Sequence, residues 1–101
     1  MLNLIKKIFG IIDVNFKELV KNGALIIDVR TAHEYKSGHI KNAVNIPLQS
    51  LSNKLNSLYK NKAIITVCAS GIRSSNAKRI LKSNGFQAYN GGAWQQLQHK
   101  I

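Results

Sequence analysis

Short apolar runs alternate along the chain with segments whose apolar residues recur at helical spacing. The runs predict five strands, one that begins at Ile11 and Ile12 and four at residues 24–30, 43–47, 63–68 and 86–90. The second and fourth of these runs are apolar on both faces, as buried parallel strands require. Strands that alternate with helices predict an α/β fold, a small three-layer domain whose parallel sheet is flanked by helices.

Two of the predicted helices carry a start signal. Asn15 and Thr31 belong to the residue types that favour the N-cap position, and a glutamate follows each of them three residues later, at Glu18 and Glu34. A glycine closes each of these segments, which is typical of a helix end. Both helices are therefore expected to begin where the capping pattern places them.

Polar residues follow three of the predicted strands. Cys68 ends one strand, Asp28 and Arg30 end a second, and Asn90 with Gly91 ends a third. In open α/β sheets, ligands bind beyond the carboxyl ends of the strands. The sequence therefore predicts that its chemistry lies at this edge of the sheet.

The segment VCASGIRSSNAK, residues 67–78, contains the only cysteine of the chain. If the loop after Cys68 curls around the sulfur, its backbone N–H groups and the start of the next helix point toward it. Gly71 permits a conformation that other residues resist, Ser70 and Ser74 offer hydroxyl donors, and Arg73 offers a fixed charge. Each feature favours a thiolate and lowers the pKa of the thiol. The alternative is a plain strand-to-helix turn around an unreactive buried thiol.

The charge of the chain is strongly positive. Fifteen lysines and arginines stand against four acids, giving a formal net charge of +11, and no acid follows Glu34. Such a field favours anionic partners, although it is also typical of a solvated basic surface. The basic residues are spread over several predicted elements and few aromatic residues lie among them, so we expect no specific nucleic-acid binding.

The first ten residues predict an N-terminal extension, which could form a short amphipathic helix, before a domain at 11–101. Lysines interrupt the apolar run and no small-residue cleavage site follows it, so it resembles a signal peptide only loosely. It is also too short to span a bilayer. We therefore expect no transmembrane segment and a cytoplasmic location.

Taken together, the motifs resemble the single-domain rhodanese family of sulfurtransferases. The matching segments are IIDVR (26–30), EY (34–35), GHI (38–40), AVNIP (43–47), CASGIRS (68–74) and NGGAW (90–94), with Ala77 and Leu81. The resemblance implies a five-stranded parallel sheet and a cysteine that carries sulfur as a persulfide. The sequence departs from the family pattern in one place, where the glycine pair runs almost directly into Trp94.

The resemblance also implies roles for individual residues. Cys68 would be the nucleophile, and Arg73 would close the loop and hold the oxyanion end of the donor. The active-site loop would consist of Ala69, Ser70, Gly71, Ile72, Arg73 and Ser74. The donor would be thiosulfate or another sulfane-sulfur compound, the acceptor cyanide, a thiol or a protein, and no cofactor would be needed. A second possibility within the family is an interaction or sulfur-relay module that acts with a protein partner.

Phosphatase or arsenate-reductase chemistry is the less favoured alternative. Tyrosine phosphatases place five residues between cysteine and arginine, whereas four separate Cys68 from Arg73. A smaller ring of N–H groups suits a sulfur atom better than a tetrahedral phosphate. In addition, no acid in or after the loop is available to protonate a leaving group.

The remaining polar residues are given supporting roles. Asp28 is expected to support the loop, by pairing with Arg73 or with loop amides, or else to form a strand-end salt bridge with Arg30. His39 is interpreted as a hydrogen-bonded structural residue, Trp94 as part of the core, and the glycine pair 91–92 as a tight turn. The spacing of His, Cys and acidic residues predicts no metal site.

Overall fold

One parallel sheet runs through residues 14–101, the part of the chain that the computed structural model describes. The strands are β1 (Leu25–Asp28), β2 (Val44–Asn45), β3 (Ile64–Cys68) and β4 (Ala88–Ala93). Their order across the sheet is β2-β1-β3-β4, and all three pairings are parallel. Strands β1 and β3 therefore occupy the centre, which explains why their sequences are apolar on both faces.

Helices cover the two faces of this sheet. They are α1 (Phe16–Lys21), α2 (Ala32–Lys36), α3 (Leu48–Lys54), α4 (Ile72–Ser83) and α5 (Trp94–Gln98), with a 3₁₀ turn at Leu55–Ser57. Apolar residues of α3, the 3₁₀ turn and α4 pack on one face, and those of α1, α2 and α5 pack on the other. The predicted three-layer α/β architecture is confirmed.

The described sheet has four strands, so the expected count of five is wrong for residues 14–101. The fifth strand was expected to begin at Ile11 and Ile12, which lie outside the described residues. The same holds for the expected amphipathic helix within residues 1–10.

Both predicted helix starts are confirmed. The Asn15 side chain accepts a hydrogen bond from the backbone N–H of Glu18 at the start of α1. At α2 the capping box is complete, because the Thr31 hydroxyl accepts from the N–H of Glu34 while the Glu34 carboxylate accepts from the N–H of Thr31. These short-range bonds satisfy N–H groups that a helix start leaves without partners.

The glycine pair near the C-terminus lies inside a strand, so its interpretation as a tight turn is wrong. Residue pairing between β3 and β4 slips at this point: Thr66 lies opposite Asn90, but Val67 lies opposite Gly92. Gly91 is therefore an extra residue in β4, as in a β-bulge. A Cβ atom at Gly91 would lie 2.8 Å from the Ile65 side chain and 2.9 Å from a backbone oxygen, so only glycine fits.

None of the helices in the described part of the chain has the length and apolar character needed to cross a bilayer.

Candidate functional site

Cys68 is the last residue of β3 and points to the face of the sheet that α4 covers. Residues along β3 alternate between the two faces, and Cys68 shares the core cluster of Ile64, Ala77 and Leu81. Its side chain is fully buried, at 0% exposure. The lone thiol is thus held at a strand end beneath the loop that leads into α4.

The loop after Cys68 bends back and directs hydrogen-bond donors at the sulfur. The backbone N–H of Gly71 lies 3.0 Å from Cys68 Sγ and that of Ser74 lies 3.4 Å away. The Ser74 hydroxyl oxygen is also 3.4 Å from the sulfur. Gly71 makes this bend possible because its φ of +103° lies in the left-handed region, which favours glycine.

These contacts act on the ionisation of the thiol. Burial raises the pKa of Cys68, because it penalises the charged form, but hydrogen bonds oppose this effect. The side chain of Ser74 and the backbone N–H groups of Ser74, Gly71 and Ser70 together outweigh burial and hold the pKa below its ordinary value. The backbone N–H groups of Gly71 and Ser74 donate to the sulfur, whereas the Ser74 hydroxyl, expected as a donor, donates to Asn90. The N–H groups around Cys68 Sγ, called the cradle below, favour a thiolate.

The other residues of the predicted loop have different environments. Ala69, Ser70 and Ile72 are exposed, and Ile72 is the most prominent at 72%. Ser74 is fully buried, and its carbonyl oxygen accepts a hydrogen bond from the Thr66 hydroxyl at 2.7 Å. The first turn of α4 is therefore tied to β3, while the tip of the loop faces solvent.

Arg73 pairs with Glu34 of α2. Two guanidinium N–H groups donate to the two carboxylate oxygens of Glu34, at 2.7 and 3.0 Å, in the bidentate arrangement that suits arginine. Glu34 was predicted to cap α2 and lies in the matching segment EY, but its pairing with Arg73, 39 positions away in sequence, was not predicted. The pair links the start of α4, just after the loop that follows Cys68, to α2.

The ion pair changes the acid strength of Glu34. The hydrogen bond from Arg73, followed by that from the backbone of Thr31, lowers the pKa of Glu34 from 4.5 to about 2. A carboxylate with a lowered pKa in the folded state adds stability above its unfolded pKa, and this stability is lost as the pH falls through its folded pKa. The contribution is therefore complete above about pH 5 and disappears between there and pH 2.

We expect Glu34→Gln to reveal this contribution in urea unfolding at a series of pH values. The free energy of unfolding should fall by up to about 1 kcal/mol at neutral pH, because the pair is partly exposed. The difference from the unmodified protein should shrink as the pH approaches 2. Glu18→Gln is the matched control, since Glu18 occupies the same helical position in α1 and pairs with no basic side chain of residues 14–101. A pH-independent difference would contradict the assignment.

Asp28 pairs with Arg30 and not with Arg73. The Arg30 guanidinium lies 2.7 Å from the Asp28 carboxylate, and both residues are buried. Arg30 also donates to the backbone oxygens of Glu34 and Gly38. Of the two arrangements considered for Asp28, the structure has the strand-end salt bridge, and its link to the loop is indirect, through Arg30 and the backbone of α2.

Asn90 is a contact of the loop that the sequence did not single out as a site residue. Its side-chain oxygen accepts from the Ser74 hydroxyl at 2.6 Å and from the N–H of Gly92 at 2.9 Å. Its amide donates to the carbonyl oxygen of Gly71 at 3.2 Å. The sequence signal that could have identified Asn90 is its position at a strand end, directly before the glycine pair. The bulge at Gly91 that orients its side chain depends on packing against other elements, which the sequence does not show.

His39 and Trp94 lie beside this region as supporting residues. The His39 ring stacks on Tyr35, with ring centroids 3.7 Å apart, and its Nδ1 lies 2.7 Å from the Tyr35 carbonyl oxygen. The Trp94 ring is partly buried, packs against the core cluster on the α5 side, and lies 4.8 Å from the Arg30 guanidinium. Both residues therefore have the structural environments that were predicted for them.

Comparison with known proteins gives the family. Residues 13–97 match the family model of the rhodanese-like domain. A tRNA uridine(34) hydroxylase of Buchnera aphidicola is 36% identical over 81 residues, 74% of this chain and 26% of that protein. YrkF of Bacillus subtilis, a candidate sulfur carrier protein, is 42% identical over 62 residues, 61% of this chain and 34% of that protein. The match therefore spans only about a quarter to a third of the length of these relatives.

A solved structure agrees with this result. The human single-domain sulfurtransferase TSTD1 superimposes with a TM-score of 0.71 and 25% sequence identity, over 85% of this chain and 91% of that one. The two proteins therefore share the parallel α/β fold that holds Cys68 at a strand end. The resemblance drawn from the motifs is confirmed, and the chain belongs to the rhodanese-like domain family.

Proposed function

We propose that the protein is a sulfurtransferase that carries a sulfane sulfur on Cys68. The observation that supports this most directly is the set of polar groups around a single buried sulfur: two backbone N–H groups that donate to it, and the Ser74 hydroxyl 3.4 Å away. Such fixed dipoles stabilise negative charge on sulfur without reorganisation of solvent. They suit a thiolate that attacks and an anion that leaves.

The proposed reaction has two steps and balances without a redox cofactor. The Cys68 thiolate attacks the outer sulfur of thiosulfate, the S–S bond of the donor breaks, and sulfite leaves with the bonding electrons. A cysteine persulfide remains on the protein. An acceptor such as cyanide or a thiolate then attacks the outer sulfur and releases the Cys68 thiolate. Because the donor product leaves before the acceptor reacts, ping-pong kinetics are expected.

The positive field of the chain supports an anionic donor. A net charge of +11 concentrates small anions near the surface and accelerates their encounter with the protein. The sulfur itself is fully buried, however, so a donor reaches it only if the loop moves locally. We therefore expect sulfur transfer to depend on the loop tip at Ala69 and Ser70, which is exposed.

Intact mass measurement tests the proposed function. Incubation with thiosulfate should add one sulfur atom to the protein, and cyanide should remove it with release of thiocyanate. Parallel lines in double-reciprocal plots at several cyanide concentrations would identify the two-step order. An unchanged mass, together with no thiocyanate production, would contradict a free-standing sulfurtransferase.

A second candidate function, sulfur relay to a protein partner, is supported by one surface. We name the α4 surface by its members on one side of that helix: Ile72, Ser75, Lys78, Arg79 and Lys82. Ile72 is largely exposed beside the loop, and a shallow concavity lies along the basic residues that follow it. An exposed apolar residue followed by cations complements an acidic protein with an apolar contact residue. We propose that the acceptor is a protein thiol on such a surface.

Charge reversal on the α4 surface tests the partner chemistry. Persulfide transfer to a synthetic acidic peptide bearing one cysteine should be faster than transfer to a basic peptide of equal length. The double variant Arg79→Glu/Lys82→Glu should lower the rate of persulfide transfer to the acidic peptide about tenfold or more at low salt, and by less at high salt. Lys17→Glu/Lys21→Glu is the matched control, since it makes the same charge change on α1, across the sheet.

Two outcomes would overturn the acidic-protein proposal. Equal slowing by both double variants would mean that only net charge matters. Saturable binding of tRNA in physiological salt that is lost in the α4 variant alone would assign the α4 surface to nucleic acid, since the Buchnera relative is named for a tRNA substrate.

A further inference from the structure

The Ser74 hydroxyl lies between the side-chain oxygen of Asn90, which is an acceptor, and the Cys68 sulfur, which becomes an acceptor when it is ionised. It is 3.4 Å from the sulfur and 2.6 Å from the Asn90 oxygen, and Ser74 is fully buried. A hydroxyl has one proton to donate. It can therefore satisfy only one of these acceptors at a time.

The orientation of the Asn90 amide is fixed by its other partners. Its oxygen accepts from the N–H of Gly92 at 2.9 Å, and its NH₂ group donates to the Gly71 carbonyl oxygen at 3.2 Å. A flipped amide would place donor against donor and acceptor against acceptor at these two contacts. The oxygen of Asn90 therefore faces Ser74 permanently.

We propose that Asn90 is a positioning residue that holds the Ser74 hydroxyl proton while Cys68 is a thiol and yields it when Cys68 is a thiolate. In the thiol state, the S–H donates to the Ser74 oxygen and the Ser74 hydroxyl donates to Asn90. In the thiolate state, the sulfur has no proton and is a charged acceptor, so the hydroxyl turns to it, because bonds to charged acceptors are stronger. The Asn90 oxygen then keeps the Gly92 N–H and is not left without a partner.

This arrangement makes Asn90 a competitor of the thiolate. Breaking the bond from Ser74 to Asn90 opposes ionisation, so Asn90 keeps the thiol a weaker acid than the cradle alone would make it. After sulfur transfer the negative charge lies on the outer sulfur of the persulfide, and Cys68 Sγ becomes a weak acceptor. The hydroxyl then returns to Asn90, which favours the persulfide over reversal of the transfer.

The inference rests on the proposed function only through the reactivity of Cys68, and its test needs no sulfur transfer. The rate of Cys68 alkylation by iodoacetamide follows the thiolate fraction, so its pH profile gives the midpoint of ionisation. In Asn90→Leu the midpoint should fall by about half a pH unit or more, because the Ser74 hydroxyl no longer donates to Asn90 and is free to donate to the Cys68 thiolate. In Ser74→Ala it should rise, by about one pH unit, because the thiolate loses a donor.

The double variant Ser74→Ala/Asn90→Leu distinguishes two roles for Asn90: competition with the sulfur for the Ser74 proton, and simple restraint of the loop. In the Ser74→Ala background, Asn90→Leu should cause no further fall, since no hydroxyl remains to be released. The charged groups around the loop remain in every variant, so their fields cancel in the comparison. They are Arg73 on α4, Glu34 on α2, Asp28 at the end of β1 and Arg30 just after it. Melting temperatures of the variants report any loss of fold.

Asn90→Asp provides a second route if Asn90→Leu does not fold. The carboxylate that Asn90→Asp introduces should bind the Ser74 hydroxyl more strongly than the Asn90 amide does and so raise the midpoint of Cys68 ionisation. This rise should be larger with Ser74 present than in the Ser74→Ala background, because only Ser74 has a hydroxyl proton for the carboxylate to bind. Equal shifts in the two backgrounds would overturn the proposal, as would a Ser74→Ala midpoint equal to that of the unmodified protein. A rise of the midpoint in Asn90→Leu would mean that Asn90 only clamps the loop.

Discussion

Replacement of Cys68 with serine is expected to abolish sulfur loading from thiosulfate. Serine is close to cysteine in size and fits the same buried position, so the variant should fold. Its hydroxyl, however, is a far weaker acid than a thiol and forms no persulfide. Intact mass after incubation with thiosulfate should stay unchanged, and thiocyanate production should fall by at least about a thousandfold, the usual size of the loss of a nucleophile.

A relocated thiol is the sharpest control for this variant. In Cys68→Ser/Ser75→Cys the chain again has one cysteine, at an exposed position on the α4 surface and outside the cradle of N–H groups. This thiol lacks the donors at Gly71 and Ser74 and should not take sulfur from thiosulfate. Loading of the relocated thiol at the native rate would mean that the cradle has no part in the chemistry.

The elements that were predicted correctly depend on patterns among residues that are close together in the sequence. The apolar runs at β1 and β3 are buried on both faces because both strands are central, so their composition identifies them without knowledge of the rest of the fold. The capping box of α2 lies within four consecutive residues, Thr31 to Glu34. The positions of Cys68 and of its loop follow from the same local pattern, a strand that ends where a helix begins.

The features that the sequence did not predict join residues far apart in the chain. Glu34 binds Arg73 across 39 positions, and the Asn90 side chain reaches Ser74 across 16. No spacing rule connects such residues, because their separation in space is set by the order of strands in the sheet. The bulge at Gly91 is also hidden, since it arises where a side chain would meet Ile65 and Leu97 from two other elements.

The buried ion pair of Asp28 and Arg30 gives the largest expected effect on stability. In Arg30→Leu the Asp28 carboxylate stays fully buried but loses its charged partner. Removal of one partner of a buried pair costs about 3–5 kcal/mol, a large share of the roughly 5–15 kcal/mol that holds a domain folded. Urea unfolding should therefore show a midpoint far below that of the unmodified protein, and the melting temperature should fall by roughly 12 °C or more.

Two comparisons show whether this loss of stability comes from the unpaired, buried Asp28 carboxylate. Arg79→Leu, which removes an exposed arginine, should change the free energy of unfolding by no more than about 0.5 kcal/mol. Asp28→Asn/Arg30→Leu should be more stable than Arg30→Leu alone, because it no longer buries an unpaired carboxylate. If the double variant were the weaker of the two, the loss would come instead from the other Arg30 contacts, to the Glu34 and Gly38 carbonyl oxygens and the Trp94 ring. The two carbonyl contacts hold α2 and the residues after it, and α2 in turn contacts the start of α4 through Glu34 and Arg73.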